Sequence, residues 1–273
     1  MSKIISSTIF AYEFRARLRS VITWALSVAL LILVYTALYP SFAAEAELMR
    51  QLMANFPPEL LAAFGMTGVD LTTVMGYFSF VFLFVQMALA VQAAHYGFDL
   101  VSVEERERTA DFLLSKPITR TQVLTAKLMA ALAGLGLTQA VIWAASFGFV
   151  NLFRGDRPYD PGLMALILAG LVVFQLFFLT VGMAISLLVR RVRSVTFYAL
   201  ALVLGMYFLG AFSDITGDVK LENLTPFKHF DANDAVHHGG YDLSLVLISV
   251  AVVVIATLGS YRLYLRRDIP TTA

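Results

Sequence analysis

The chain of 273 residues has no cysteine and little charge: Asp, Glu, Lys and Arg together make up 14% of it. Without cysteine it can form no disulfide, no thiolate-ligated zinc or iron–sulfur site and no thiol nucleophile. A soluble domain carries about 25% charged residues. With 59% apolar residues and a mean hydropathy of +0.77, there is too little polar surface to cover a water-exposed exterior, which excludes an ordinary soluble enzyme or binding domain. Disorder is excluded by the same figures, because it needs low hydrophobicity and high net charge. The net charge is only +1, so the basic excess of a nucleic-acid binder is missing and no nucleic-acid partner is expected.

The positions without charge form a pattern. Six runs contain no Asp, Glu, Lys or Arg: Ser20–Ala44, Leu71–Phe98, Leu128–Phe153, Pro161–Val189, Ser194–Ser213 and Leu243–Tyr261. They are 19 to 29 residues long, and a bilayer core about 30 Å thick is crossed by about 20 apolar helical residues. One such run fits a buried helix of a soluble protein, but six in one chain argue for a membrane. Strands of a membrane barrel are shorter and alternate in polarity, whereas these runs are continuously apolar, so helices are expected. The reading is an all-α integral membrane protein, one transmembrane domain over 1–273, with spans at about 20–41, 73–98, 124–150, 162–189, 194–212 and 243–262. External loops then fall at about 42–72 and 213–242, and a cytoplasmic segment at about 99–122.

Lys and Arg set the orientation, since they accumulate on the cytoplasmic side. One set of alternate loops and termini holds 15 of them and the other holds 5, which places both termini in the cytoplasm. The first run is too long for the apolar region of a signal peptide, which has about 7–15 residues, so it is expected to remain as a span. Just before it, Phe10, Phe14 and Leu18 recur every four residues beside Arg15 and Arg17. That spacing fits either a short amphipathic helix in the inner interface or a longer first span.

Among the loops, Phe56-Pro57-Pro58 breaks the first external one and Pro58 starts a new helix. In the last, Leu221, Leu224, Phe227 and Phe230 recur every three residues, so this loop is expected to dip an apolar face back towards the membrane. Asp234 and His238 lie one helical turn apart there, a spacing too weak to assign a metal. Within the third span, Ala126, Ala130, Gly134 and Thr138 recur at every fourth position, and Ala140, Ala144 and Gly148 repeat the spacing. Small residues so placed let helices approach closely. Gln86, Gln92, Gln139 and Gln175 are polar residues inside spans, for which interhelical hydrogen bonds are expected.

The cytoplasmic segment combines a charged run, Glu104-Glu105-Arg106-Glu107-Arg108, an apolar knob, Phe112-Leu113-Leu114, and a rigid turn at Lys116-Pro117. Thr119 or Thr121 can cap the helix that follows. A charged helix carrying an apolar knob suits docking of a cytoplasmic protein better than a merely solvated loop does.

This segment resembles the cytoplasmic signature of ABC-2 type permeases, the membrane subunits of one class of ABC transporters. The matching residues are Glu104–Glu107, Thr109, Phe112–Leu114, Ser115-Lys116-Pro117-Ile118-Thr119-Arg120 and Lys127, with Arg108 where the family commonly has Gly. Phe56-Pro57-Pro58-Glu59-Leu60-Leu61 with Phe64-Gly65, and Leu224-Thr225-Pro226-Phe227-Lys228-His229-Phe230-Asp231, are similar to the family's first and last external loops. The resemblance implies an ABC-2 (type V) exporter-like bundle of six helices. It also implies a division of labour. No Gly-x-x-x-x-Gly-Lys-(Ser/Thr) phosphate loop is present, so the chain is not expected to be an enzyme or to hold a cofactor. ATP and magnesium would be bound by a partner ABC ATPase.

In the family a coupling helix between the second and third spans docks on that ATPase. Carried over here, Phe112, Leu113 and Leu114 would be the buried anchors, with Glu104, Glu105, Arg106, Glu107 and Arg120 around them and Pro117 fixing the turn. A second permease chain, membrane lipids and a bacterial inner membrane are further implications. Paired glutamates followed by Arg108 are also found in intramembrane proteases, but Glu104 and Glu105 lie in a loop without matching histidines. An ATP-independent secondary carrier is the alternative. Such carriers commonly place charge or broken helices at the midplane, and none of these spans does. Uncharged, Phe- and Leu-rich spans favour a lipid-like, drug-like or otherwise hydrophobic substrate.

Overall fold

Apolar sequence in a bilayer becomes helix because each backbone N–H and C=O must find its partner within the segment. The computed structural model describes residues 6–63, 65–107, 119–189, 192–217 and 219–266, and these are helical almost throughout, with no strand among them. In chain order the helices are α1 (Ser7–Ala44), α2 (Ala46–Ala54), α3 (Pro58–Ala63), α4 (Val74–Glu107), α5 (Arg120–Phe153), α6 (Pro161–Leu188), α7 (Val195–Thr216), α8 (Val219–Glu222), α9 (Pro226–His229), α10 (Ala232–His238) and α11 (Leu243–Arg266). Six of them, α1, α4, α5, α6, α7 and α11, are long and apolar enough to cross a membrane.

Helix starts follow local chemistry. Thr119 caps α5 in a reciprocal box with Gln122. Asp160 accepts from Gly162 and Leu163 ahead of α6, whose first residue is Pro161. Ser194 caps α7, and Gly217, at φ +67°, ends it in the left-handed conformation that glycine takes without strain.

Four helices, α1, α4, α5 and α11, outlast their charge-free runs at the end of the bundle that carries both termini. The first run begins at Ser20, yet α1 is continuous from Ser7, so the amphipathic stretch around Phe10 and Phe14 extends the first span without a break. With 38 residues, α1 is about 57 Å long. Helix α4 continues past Phe98 to Glu107, and α5 starts at Arg120, ahead of Leu128. Only the middle of these helices needs to lie in the bilayer. The charged end turns of α1, α4 and α5 form a base beneath it.

Helices α4 and α6 occupy the centre of the bundle, while most of each span of α1, α7 and α11 is not buried. The central pair touches backbone to backbone. A Cβ on Gly97 would lie 2.2 Å from the Leu179 carbonyl oxygen, and one on Gly182 would lie 3.0 Å from that of Ala94. On the periphery, Ile22, Leu26, Leu30, Val34 and Leu38 form an exposed stripe along α1, which in a bilayer faces apolar surroundings.

The stretch between α7 and α11 folds back into the bundle. Phe227 and Phe230 are buried against Phe174, and Phe230 also against Tyr241. The Phe230 carbonyl accepts from Gln86 of α4 at 2.7 Å. Gly170 makes room for this insertion, since a Cβ there would meet the Tyr241 ring at 2.6 Å. The three-residue apolar repeat holds only in its second half, because Leu224 points outward and is 57% exposed. Thr225 sets the turn there: it caps α9 and donates to the Met206 carbonyl at 2.7 Å, directing the chain inward.

Candidate functional site

The segment between α4 and α5 is entered and left as helix. The backbone of α4 is helical through Glu104, Glu105, Arg106 and Glu107, while the side chains of these four lie outside the described residues, as do Phe112, Leu113, Leu114 and Pro117. Its far end is anchored. Arg120 donates to the Tyr264 carbonyl of α11 at 3.5 Å, and Thr125 shares a 2.8 Å hydrogen bond with Tyr261 of the same helix.

About 10–12 Å along the helices from the two ends of that segment, four charged side chains meet. Glu13 of α1 lies 3.4 Å from Arg17, one turn further along α1, and 3.6 Å from the ammonium of Lys127 of α5. Arg17 in turn lies 3.6 Å from Asp99 of α4. Lys127 also donates to the Leu100 carbonyl of α4 at 2.9 Å. Two anions and two cations thus balance, with side chains only 2% (Lys127), 8% (Arg17), 14% (Glu13) and 21% (Asp99) exposed. Such a group is weak evidence of net stability, because the desolvation of charge offsets the attraction. Removing one member, however, strands a buried charge at about 3–5 kcal/mol. The arrangement therefore fixes geometry more than it adds stability.

Above the charges, polar contacts continue between the same three helices. The Arg17 guanidinium sits 5.5 Å from the centre of the Tyr96 ring, close enough for a cation–π attraction. The Tyr96 hydroxyl donates to Ser20 at 3.2 Å. Gln92 donates to Thr138 at 2.9 Å, and Thr138 donates to the Gly134 carbonyl at 3.2 Å. Gln92 and Thr138 are fully buried.

The small-residue pattern of the third span separates into two faces. Ala126, Ala130, Gly134 and Thr138 are buried, and a Cβ on Gly134 would touch Val21 of α1 at 3.0 Å. Helices α1 and α5 form the most extensive pairing of the bundle. Ala140, Ala144 and Gly148 instead face outward. The step from 138 to 140 turns about 200° around a helix of 3.6 residues per turn, so the two sets of positions never shared a face.

At the opposite end of the bundle, Lys228 bridges Asp214 at 2.6 Å and Asp231 at 3.5 Å. Burial pulls the Lys228 ammonium down, but Asp231 and Asp214 outweigh it and hold its pKa above the ordinary lysine value. Nδ1 of His229 and the Ser249 hydroxyl of α11 share a 2.6 Å hydrogen bond, and burial pushes the imidazole pKa below the usual histidine range. At the surface, Nδ1 of His238 lies 2.9 Å from a carboxylate oxygen of Asp234. No group of three or more metal-ligating side chains occurs among the described residues.

Sequence reasoning missed the roles of Glu13, Arg17 and Asp99. The signal was available: Glu13 and Arg17 are four apart on a helix, and Glu13 is the one acid among Arg15, Arg17 and Arg19. Lys127 entered only through the family resemblance. A family model described as ABC-2 family transporter protein matches residues 7–269, across all six spans. A comparison with curated proteins gives no match.

Proposed function

The chain belongs to the ABC-2 family of transporter proteins, and from that membership and its cytoplasmic base we propose that it is the permease of an ATP-driven exporter, energised by a separate ATPase that docks on residues 104–120. The membrane subunit of such a transporter does not itself hydrolyse ATP. Phe112, Leu113 and Leu114 are the anchors of the docked segment, and Glu104, Glu105, Arg106, Glu107, Pro117 and Arg120 shape its rim.

The observation that carries this reading is the buried charge at the feet of the segment. Asp99 and Lys127 flank it on α4 and α5, and both are tied to α1. Such bracing suits a segment that receives a push from a docked protein. The transported molecule is hydrophobic or lipid-like, because the spans lack charge at mid-depth. The working unit pairs two permease chains with two ATPases in a bacterial inner membrane.

Proteoliposomes test the reading. The permease is reconstituted with and without the ATPase, and movement of a fluorescent phospholipid and of a hydrophobic dye is followed. Movement is expected only with the ATPase and hydrolysable ATP. Movement by the permease alone, driven by an ion gradient, would instead establish a secondary carrier.

A further inference from the structure

Asp99, Arg17, Glu13, Lys127 and the Leu100 carbonyl close a ring. It runs from α4 to α1, along one turn of α1, across to α5 and back to α4. We infer that this ring is a charge lock that makes the cytoplasmic turns of α1, α4 and α5 move as one body, so that Glu13, Arg17, Asp99 and Lys127 are positioning residues for transport. The inference rests on the proposed function, because the ATPase supplies the motion to be transmitted.

Three features carry it. First, the ring is cyclic, so no one of the three helices can slide without parting a buried ion pair or the Lys127 hydrogen bond. Second, Lys127, Arg17 and Glu13 are largely shielded from solvent, so water compensates poorly for a parted pair among them. Third, the cation–π contact of Arg17 with Tyr96 and the hydrogen bonds through Ser20, Gln92 and Thr138 extend the tie deeper between the same helices. A push on the segment between α4 and α5 therefore reaches α1, which does not contain that segment. The exposed stripe from Ile22 to Leu38 then moves as a wall of the bundle.

The chain has no cysteine, so introduced cysteines report alone. Spin labels at Leu30→Cys on α1 and Phe208→Cys on α7, both exposed positions, are measured in the complex with its ATPase in nanodiscs. Distances are compared without nucleotide and with trapped ATP–vanadate. The parent is expected to show a nucleotide-driven shift. Lys127→Met is expected to cut that shift to less than half while the ATPase still copurifies undiminished, and Lys127→Arg to keep most of it. Asp99→Asn, at the more exposed rim of the ring, serves if Lys127→Met fails to fold.

A second arm joins α1 to α5 covalently through Val21→Cys and Gly134→Cys, a pair in contact across the helices. If they move as one body, the oxidised protein supports the same ATPase rate as the reduced one. An undiminished shift in Lys127→Met and Asp99→Asn, no shift in the parent, or ATPase activity lost on oxidation would each overturn the lock. A parent complex without any ATPase would overturn the functional reading, and the lock with it.

Discussion

Gly97→Ala is a one-methyl change whose effect can be worked from the α4–α6 crossing. The added Cβ would stand 2.2 Å from the Leu179 carbonyl oxygen and 3.0 Å from the Met183 nitrogen. These are backbone atoms inside α6, so no side chain can rotate away. An ordinary carbon–oxygen contact is about 3.3 Å, and the helices must part by about 1 Å. Overpacking a core costs about 1–3 kcal/mol, and a rigid backbone neighbour puts this case at the upper end. The displacement also acts two residues from Asp99, whose pair with Arg17 is already 3.6 Å long. Gly136→Ala is the internal control. Nothing lies within 4 Å of its Cβ, and relief of the glycine penalty in a helix favours it by up to about 1 kcal/mol. Thermal unfolding in detergent, followed by loss of the monodisperse peak, should show Gly97→Ala clearly below the parent and Gly136→Ala level with it or above. Equal melting of the two variants would refute the close crossing.

Thr138→Val removes the acceptor of a buried Gln92 hydrogen bond and should cost about 1 kcal/mol, since such bonds in membrane bundles average about 0.6 and reach about 1.7 kcal/mol. Pairing it with Gln92→Leu should recover part of the loss, because removing both partners leaves nothing unsatisfied; a strictly additive double variant would count against the contact. His229 offers a pH test. Its folded pKa is depressed by burial, so the unfolded chain binds the proton more readily. Its contribution is fully present above the unfolded value of about 6.5, and stability is lost as pH falls from there towards the folded pKa. His229→Asn can keep the Ser249 contact without titrating, and its melting temperature should fall less than the parent's between pH 7.5 and 5.5. Parallel losses would contradict the assignment.

The six spans were legible because charge is excluded from the apolar core of a bilayer, so runs without charge mark it directly. The ends of α1, α4 and α5 were not. Their end turns carry Glu13, Arg17, Asp99 and Lys127, and a count of charge-free residues stops where such side chains begin, although the helices continue. The orientation of the third span was half legible: spacing by four marked two small-residue sets without saying that they lie on opposite faces. The α4–α6 crossing left almost no trace, because Gly97 and Gly182 are single glycines whose role depends on Leu179 and Ala94, 82 and 88 positions away. Recurring phenylalanines announced the returning loop, but the turn at Thr225 that sends Leu224 outward is set by a tertiary hydrogen bond. The ring of charge required four residues from three helices, and only the Glu13–Arg17 spacing was local.

Docking of a separate ATPase on residues 104–120 is tested most directly by copurification of the tagged permease from its native membrane, with the parent beside a Phe112→Asp, Leu113→Asp double variant. An ABC ATPase is expected with the parent and is expected to be lost from the double variant, while the variant elutes as a folded, monodisperse permease. An ATPase that stays bound to the double variant, or a parent that brings none down, would contradict that docking.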